Sequence, residues 1–200
     1  MNVAVKLPQP GQAPMNVTEF LRWRSDGIGR VYELVHGHIR AQDAASDGHG
    51  TIQSRLVALL TSHLDAHRPG CRTVVNPGVE PRLQANWNYR VPEIGVTCTE
   101  HRNDVHLMPS PILLVEILSP SNADDTWDNV ALYSTVPTVL EILVVDSRKV
   151  EAFLLRRDAD GSWPKDPITC GADGTIRLAS IGLELIIREV YRGTQLATQA

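Results

Sequence analysis

Apolar residues recur at helical spacing between residues 51 and 67, where Ile52, Leu56, Leu59, Leu60 and Leu64 fall on one side. Pro69-Gly70 ends the predicted helix. Upstream, Asn16 and Glu19 stand at capping-box spacing ahead of Phe20 and Leu21, which predicts a short helix over 17–25, closed by Gly27 and Gly29. Val31-Tyr32-Glu33-Leu34-Val35 and Ile39-Arg40-Ala41 flank His36-Gly37-His38 and read as a hairpin. Strand patterns then dominate, over about 71–76, 78–84, 90–97 and 111–118. Trp127, Val130, Ala131 and Leu132 give an apolar side to a helix over 124–134. Val139 to Val145 reads as a buried strand, paired with 149–155 across Asp146-Ser147-Arg148. Residues 157–174 are polar and read as loop or edge, and 176–178 and 183–187 close the fold. Strands and helices do not alternate regularly. That argues against a repeated βαβ arrangement and for an α/β (α+β) chain with a mixed sheet and a few helices.

One position breaks the apolar pattern. Glu116 interrupts the run from Ile112 to Leu118, which otherwise reads as a strand buried on both faces. An unpaired buried carboxylate costs several kcal/mol. Glu116 therefore needs a cation, strong donors or a proton, and a functional cleft is the simplest place to find one. Glu33, in the first strand or at a helix–strand junction, and Glu93, which follows Pro92 and opens Ile94-Gly95-Val96, are the other acidic positions of interest. Carboxylates from neighbouring strands can hold a hard divalent cation such as Mg²⁺ or Mn²⁺. Such an ion polarises a phosphate and lowers the pKa of an attacking water.

Composition changes the picture little. The 200 residues suit one domain with a full core. The expected organisation is a loose tail over 1–14, one domain over 15–192 and a short tail over 193–200. A net charge of −4 gives no general attraction for nucleic acid, so a local basic patch would be needed. Cys71, Cys98 and Cys170 are odd in number, far apart and without a CxxC pattern, so they read as reduced thiols of a cytoplasmic protein. No membrane span or signal peptide is expected.

The remaining candidates carry competing structural readings. Glu141 abuts an apolar run but sits at a strand start, where solvent contact is expected. His63 and His67 have i, i+4 spacing without a third ligand and read as surface residues. Ser119 and Ser121 read as turn and cap residues, because no nucleophile elbow accompanies them.

The ordered set Tyr32-Glu33-Leu34-Val35-His36-Gly37, His49, Pro92-Glu93-Ile94, Val115-Glu116-Ile117-Leu118-Ser119-Pro120-Ser121, Tyr133 and Val144-Val145-Asp146 resembles the Uma2 family (DUF820). That family comprises restriction-endonuclease-like proteins of the PD-(D/E)XK nuclease superfamily. The resemblance spans roughly residues 15–190. It implies a mixed central sheet flanked by helices, and an endonuclease that hydrolyses DNA with Mg²⁺ or Mn²⁺. Glu33, Glu93, Glu116 and the backbone carbonyl of Ile117 would be the metal ligands. Glu93, Glu116 and Asn129 would occupy the catalytic positions, with His49 and Tyr133 supporting them. It also makes a homodimer a natural expectation.

Two departures matter. Glu93 stands where the family usually has Asp. Asn129 stands where the family usually carries a lysine, four residues before the tyrosine. Losing such a cation typically costs about 10² to 10⁴ in rate. Arg82 or Arg90 could supply charge from a nearby strand, though neither would act as a base. The alternative is a catalytically inactive nuclease-fold module that binds nucleic acid or a protein partner. A hydrolase of a smaller phosphoester is a third reading.

Overall fold

A computed structural model describes residues 13–23, 31–42, 44–102, 106–120 and 122–198. Most of the expected N-terminal tail, Gly27, Gly29 and Ser121 lie outside these residues.

The first helix, α1 (Val17–Arg22), starts on the predicted capping box. The Asn16 side chain accepts from the Glu19 amide at 2.9 Å, and the Glu19 carboxylate accepts from the Asn16 amide at 2.8 Å. Strands β1 (Tyr32–Val35) and β2 (His38–Ala41) form the predicted hairpin. Its two turn residues, His36 and Gly37, both have positive φ, 49° and 82°, as a tight turn of this hand requires. The long helix α2 (Asp47–His67) begins four residues before the predicted start. There Ser46 caps it, its hydroxyl accepting from the His49 amide at 3.3 Å.

Six strands form the central sheet, in the order β3 (Arg72–Val75), β4 (Ile94–Thr97), β5 (Pro111–Leu118), β6 (Glu141–Asp146), β7 (Glu151–Arg156) and β8 (Ile168–Gly171). Among them only β5 and β6 run parallel, and the helix α3 (Ala123–Tyr133) makes their crossover. This is the expected mixed sheet flanked by helices. Strands β9 (Thr175–Leu178) and β10 (Leu183–Ile186) form a separate hairpin, followed by the short helix α4 (Ile187–Val190).

Two expected strands are absent or shorter. Residues 78–84 form only isolated bridges, with Val79 opposite Arg90, and β4 starts at Ile94 rather than residue 90. Pro77, Pro81 and Pro92 each remove a ladder donor there, and Asn76 and Gln84 take left-handed φ values of 49° and 53°. The polar stretch after residue 157 does end in an edge strand, β8.

The alternation of side chains across β5 separates two cores. Leu113, Val115 and Ile117 join Ile52, Leu56, Leu60 and Leu64 of α2. Leu114 joins Val130 and Tyr133 of α3 on the opposite face. Glu116, out of phase with the first set, therefore points to the α3 side. A third cluster, including Phe20, Leu34 and Tyr89, fastens α1 and the β1–β2 hairpin to the body.

The cysteine reading requires correction. Cys71 and Cys98 are joined by a disulfide, while Cys170 is a free thiol. Arg72 and Thr97 are cross-strand partners, so antiparallel pairing of β3 with β4 brings the adjoining cysteines together despite a separation of 27 residues. Among the described residues, no helix is long and apolar enough to cross a membrane.

Candidate active site

Strand β1, strand β5, the N-terminus of α2, the approach to β4 and the N-terminal half of α3 surround one cavity of about 440 Å³. Glu33, Glu93 and Glu116 all line it, as do His49 and Asn129. The fold thus brings the three predicted carboxylates to one place from three elements.

Each carboxylate is held differently. Glu33 is buried, and its Oε1 accepts from the Val91 amide at 2.8 Å. Arg90, also buried, approaches Glu33 Oε2 to 4.0 Å. Burial pushes the Glu33 carboxyl up from its ordinary range, against the pull of the Val91 amide, Arg90 and Arg40. Arg90 is thus the arginine beside the acidic group, whereas Arg82 is exposed and does not line the cavity.

Glu93 is fixed by α2. Its Oε1 lies 2.8 Å from His49 Nε2, and its Oε2 accepts from Gln53 Nε2 at 2.7 Å. His49 and Gln53 are four residues apart and so share a face of the helix. Gln53 was not among the candidates from sequence, although its helical spacing from His49 is the signal that could have found it.

Glu116 is buried as well, and its partners are neutral. Tyr133 donates its hydroxyl to Glu116 Oε1 at 2.8 Å, and Asn129 Nδ2 donates to the same oxygen at 3.3 Å. Oε2 accepts no hydrogen bond from a described residue. Burial, with the negative charges of Glu93 and Glu33 nearby, raises the Glu116 carboxyl from 4.5 to about 8, against those two donors. Glu116 is thus held by two neutral donors, with no arginine among its hydrogen-bond partners. Tyr133 does more than support its helix, because it touches the carboxylate directly. The Asn129 carbonyl, Oδ1, is buried and has no hydrogen-bond partner.

Ile117 is not among the residues lining the cavity; its carbonyl lies 3.4 Å from Asn122 Nδ2. Ser119 is a turn residue, its amide and hydroxyl both donating to Asn122 Oδ1. Glu141 is structural, as expected, but for another reason. It is buried rather than solvated, paired with Arg156 at 2.7 Å and accepting from the amides of Ala179 and Ser180. His63 lies 3.0 Å from the carbonyl of Ile181 through Nε2, its ring tilted against that of His67, and neither lines the cavity.

A divalent ion needs several hard donors on one side of it. Among the described residues, no group of three or more His, Cys, Asp or Glu is already converged to hold a metal. The chemistry of the donors nevertheless fits: the three carboxylates facing one cavity are hard oxygen ligands, the kind Mg²⁺ takes while retaining water.

A model of the Uma2 family, described as "Putative restriction endonuclease", matches residues 17–188. The chain belongs to the Uma2 family. A curated relative, an uncharacterized protein of Synechocystis sp. (slr1290), is 32% identical over 177 residues, covering 88% of this chain and 90% of its own. The crystal structure of a protein from Anabaena variabilis, described as "a putative nuclease belonging to DUF820", superposes with a TM-score of 0.70 at 18% identity. That match covers 89% of this chain and 98% of the neighbour, and it shows that this Uma2 chain shares the neighbour's fold.

Proposed function

We propose that this Uma2 protein is a divalent-metal-dependent endonuclease that hydrolyses phosphodiester bonds in DNA. The observation that carries the reading is the meeting of Glu33, Glu93 and Glu116 on one cavity, in a chain of this family. Glu33, Glu93 and Glu116 would hold Mg²⁺ or Mn²⁺; the Ile117 carbonyl, outside the cavity lining, would join them only by leaving Asn122. When bound, the ion supplies Lewis acidity and a more acidic water. Tyr133 and Asn129 orient Glu116 through Oε1, and no described residue donates to Oε2. His49 and Gln53 set the direction of Glu93. Asn129, a neutral amide, would take no proton from a water at this site. The reading extends to a homodimer acting on two strands, for which the sheet edges β3 and β8 are available surfaces.

The test is cleavage of labelled single- and double-stranded DNA with Mg²⁺ or Mn²⁺. Metal-dependent cutting by the wild type that is lost in Glu116→Ala supports the reading. No cutting by the wild type refutes it.

One pair of observations favours a second reading, a nuclease-fold module that binds without cutting. Asn129 is neutral, and both oxygens of Glu93 are engaged by α2. Cleavage gained only in Asn129→Lys would select this reading.

A further inference from the structure

We infer that Arg40 grips the scissile phosphate, leaving its ion pair with Asp125 to do so; this rests on the phosphodiesterase reading above. A phosphodiester entering this cavity brings negative charge into a lining that already holds the acidic residues Glu33, Glu93, Glu116 and Asp125. The reaction then develops more on the phosphate oxygens, so cations beside the site contribute directly to the rate.

The arginines lining the cavity are Arg40 and Arg148. Arg90 is committed elsewhere, buried beside Glu33 and outside the cavity wall. Arg40 is the cross-strand partner of Glu33, so both side chains leave the hairpin on one face. Its guanidinium makes a two-pronged contact with both oxygens of Asp125. Asp125 lies in the first turn of α3, four residues before Asn129, whose amide reaches Glu116. Residues four apart share a helix face, so the Arg40 guanidinium sits one helical turn from the group that touches Glu116.

The pair is built for exchange. The Arg40 and Asp125 side chains are 48% and 37% exposed, and an ion pair that wet contributes little to stability. The two non-bridging oxygens of a phosphodiester can meet the guanidinium fork as the Asp125 carboxylate oxygens now do. Asp125, once released, remains favourably placed near the N-terminus of α3. Asp125 is thus one of the partners that hold Arg40 beside the cavity, and it competes with substrate for the guanidinium.

The test is steady-state cleavage of labelled duplex DNA by the full chain with Mg²⁺ or Mn²⁺, comparing Arg40→Ala, Arg40→Lys and Asp125→Asn. Arg40→Ala is expected to lower kcat about 100-fold, with Arg40→Lys recovering only part, because lysine lacks the fork. Asp125→Asn is expected to lower KM several-fold. A tether joining hairpin to helix would instead make Arg40→Ala and Asp125→Asn equally damaging, and that result overturns the inference. So does an Arg40→Ala enzyme within threefold of a cutting wild type, which would leave the nuclease reading intact. A wild type that does not cut removes both.

Discussion

Replacing Glu116 by glutamine should stabilise the metal-free protein, and by more as pH rises. The carboxyl is raised from 4.5 to about 8 in the folded chain, chiefly by burial. A folded-state pKa above the unfolded one means that the folded protein binds the proton more tightly. Its contribution to stability is complete below about pH 4.5 and is lost progressively as pH rises towards 8. Each unit of separation is worth about 1.4 kcal/mol. The loss by pH 7 is then on the order of 3 kcal/mol, tending to about 5 kcal/mol above pH 8. Glutamine matches the protonated acid in shape, stays neutral throughout, and can still accept from Tyr133 and Asn129. The assay is urea unfolding of wild type and Glu116→Gln at pH 5 and pH 8, with a chelator present. The expected result is near-equal stability at pH 5 and a variant more stable by a few kcal/mol at pH 8. A difference that does not change between the two pH values, or a variant less stable at pH 8, would refute the reasoning.

Cys71→Ser, or reduction of the wild type, opens a loop closed across 27 residues and should lower stability by about 3.5 kcal/mol, read as a fall in urea midpoint. Arg156→Ala leaves the buried Glu141 with only its two backbone donors and should cost roughly 2 kcal/mol in the same assay, without changing DNA cleavage. Asn129→Lys puts a cation beside Glu116 and favours its charged form. The pH-dependent stability difference between wild type and Glu116→Gln should therefore shrink when both chains also carry Asn129→Lys, and a difference as large as before would count against direct contact between the two positions.

Much of the fold could be read from local pattern because local physics decides it. The capping box at Asn16 and Glu19 and the glycine turn at Gly37 need no tertiary help. The period-2 pattern of β5 also assigns Glu116 to the face opposite Val115 and Ile117, toward the α3 side. The misread segments follow from competing local rules. Residues 78–84 and 90–93 carry apolar side chains suited to strands, but the prolines around them withhold the amide donors that a ladder needs. The disulfide was hidden for a different reason. Cys71 and Cys98 become neighbours only through the register of β3 against β4, which no local pattern encodes.

The candidate site divides along the same line. A lone acidic residue in an apolar strand is a local anomaly, so Glu116 could be found without knowing its surroundings. What surrounds it depends on packing. Gln53 reaches Glu93 because α2 crosses the approach to β4, and Arg40 reaches Asp125 because the β1–β2 hairpin lies over the start of α3. Asn129 reads from sequence as a loss, a neutral amide where charge is useful. Beside a carboxyl that burial raises from its ordinary range, it is a matching donor, since it needs no counter-charge of its own. The arginines that line the cavity, Arg40 and Arg148, come from β2 and from the segment between β6 and β7 rather than from α3. Positive charge on this cavity wall therefore comes from the hairpin and the β6–β7 segment, while α3 supplies the neutral donors Tyr133 and Asn129 to Glu116.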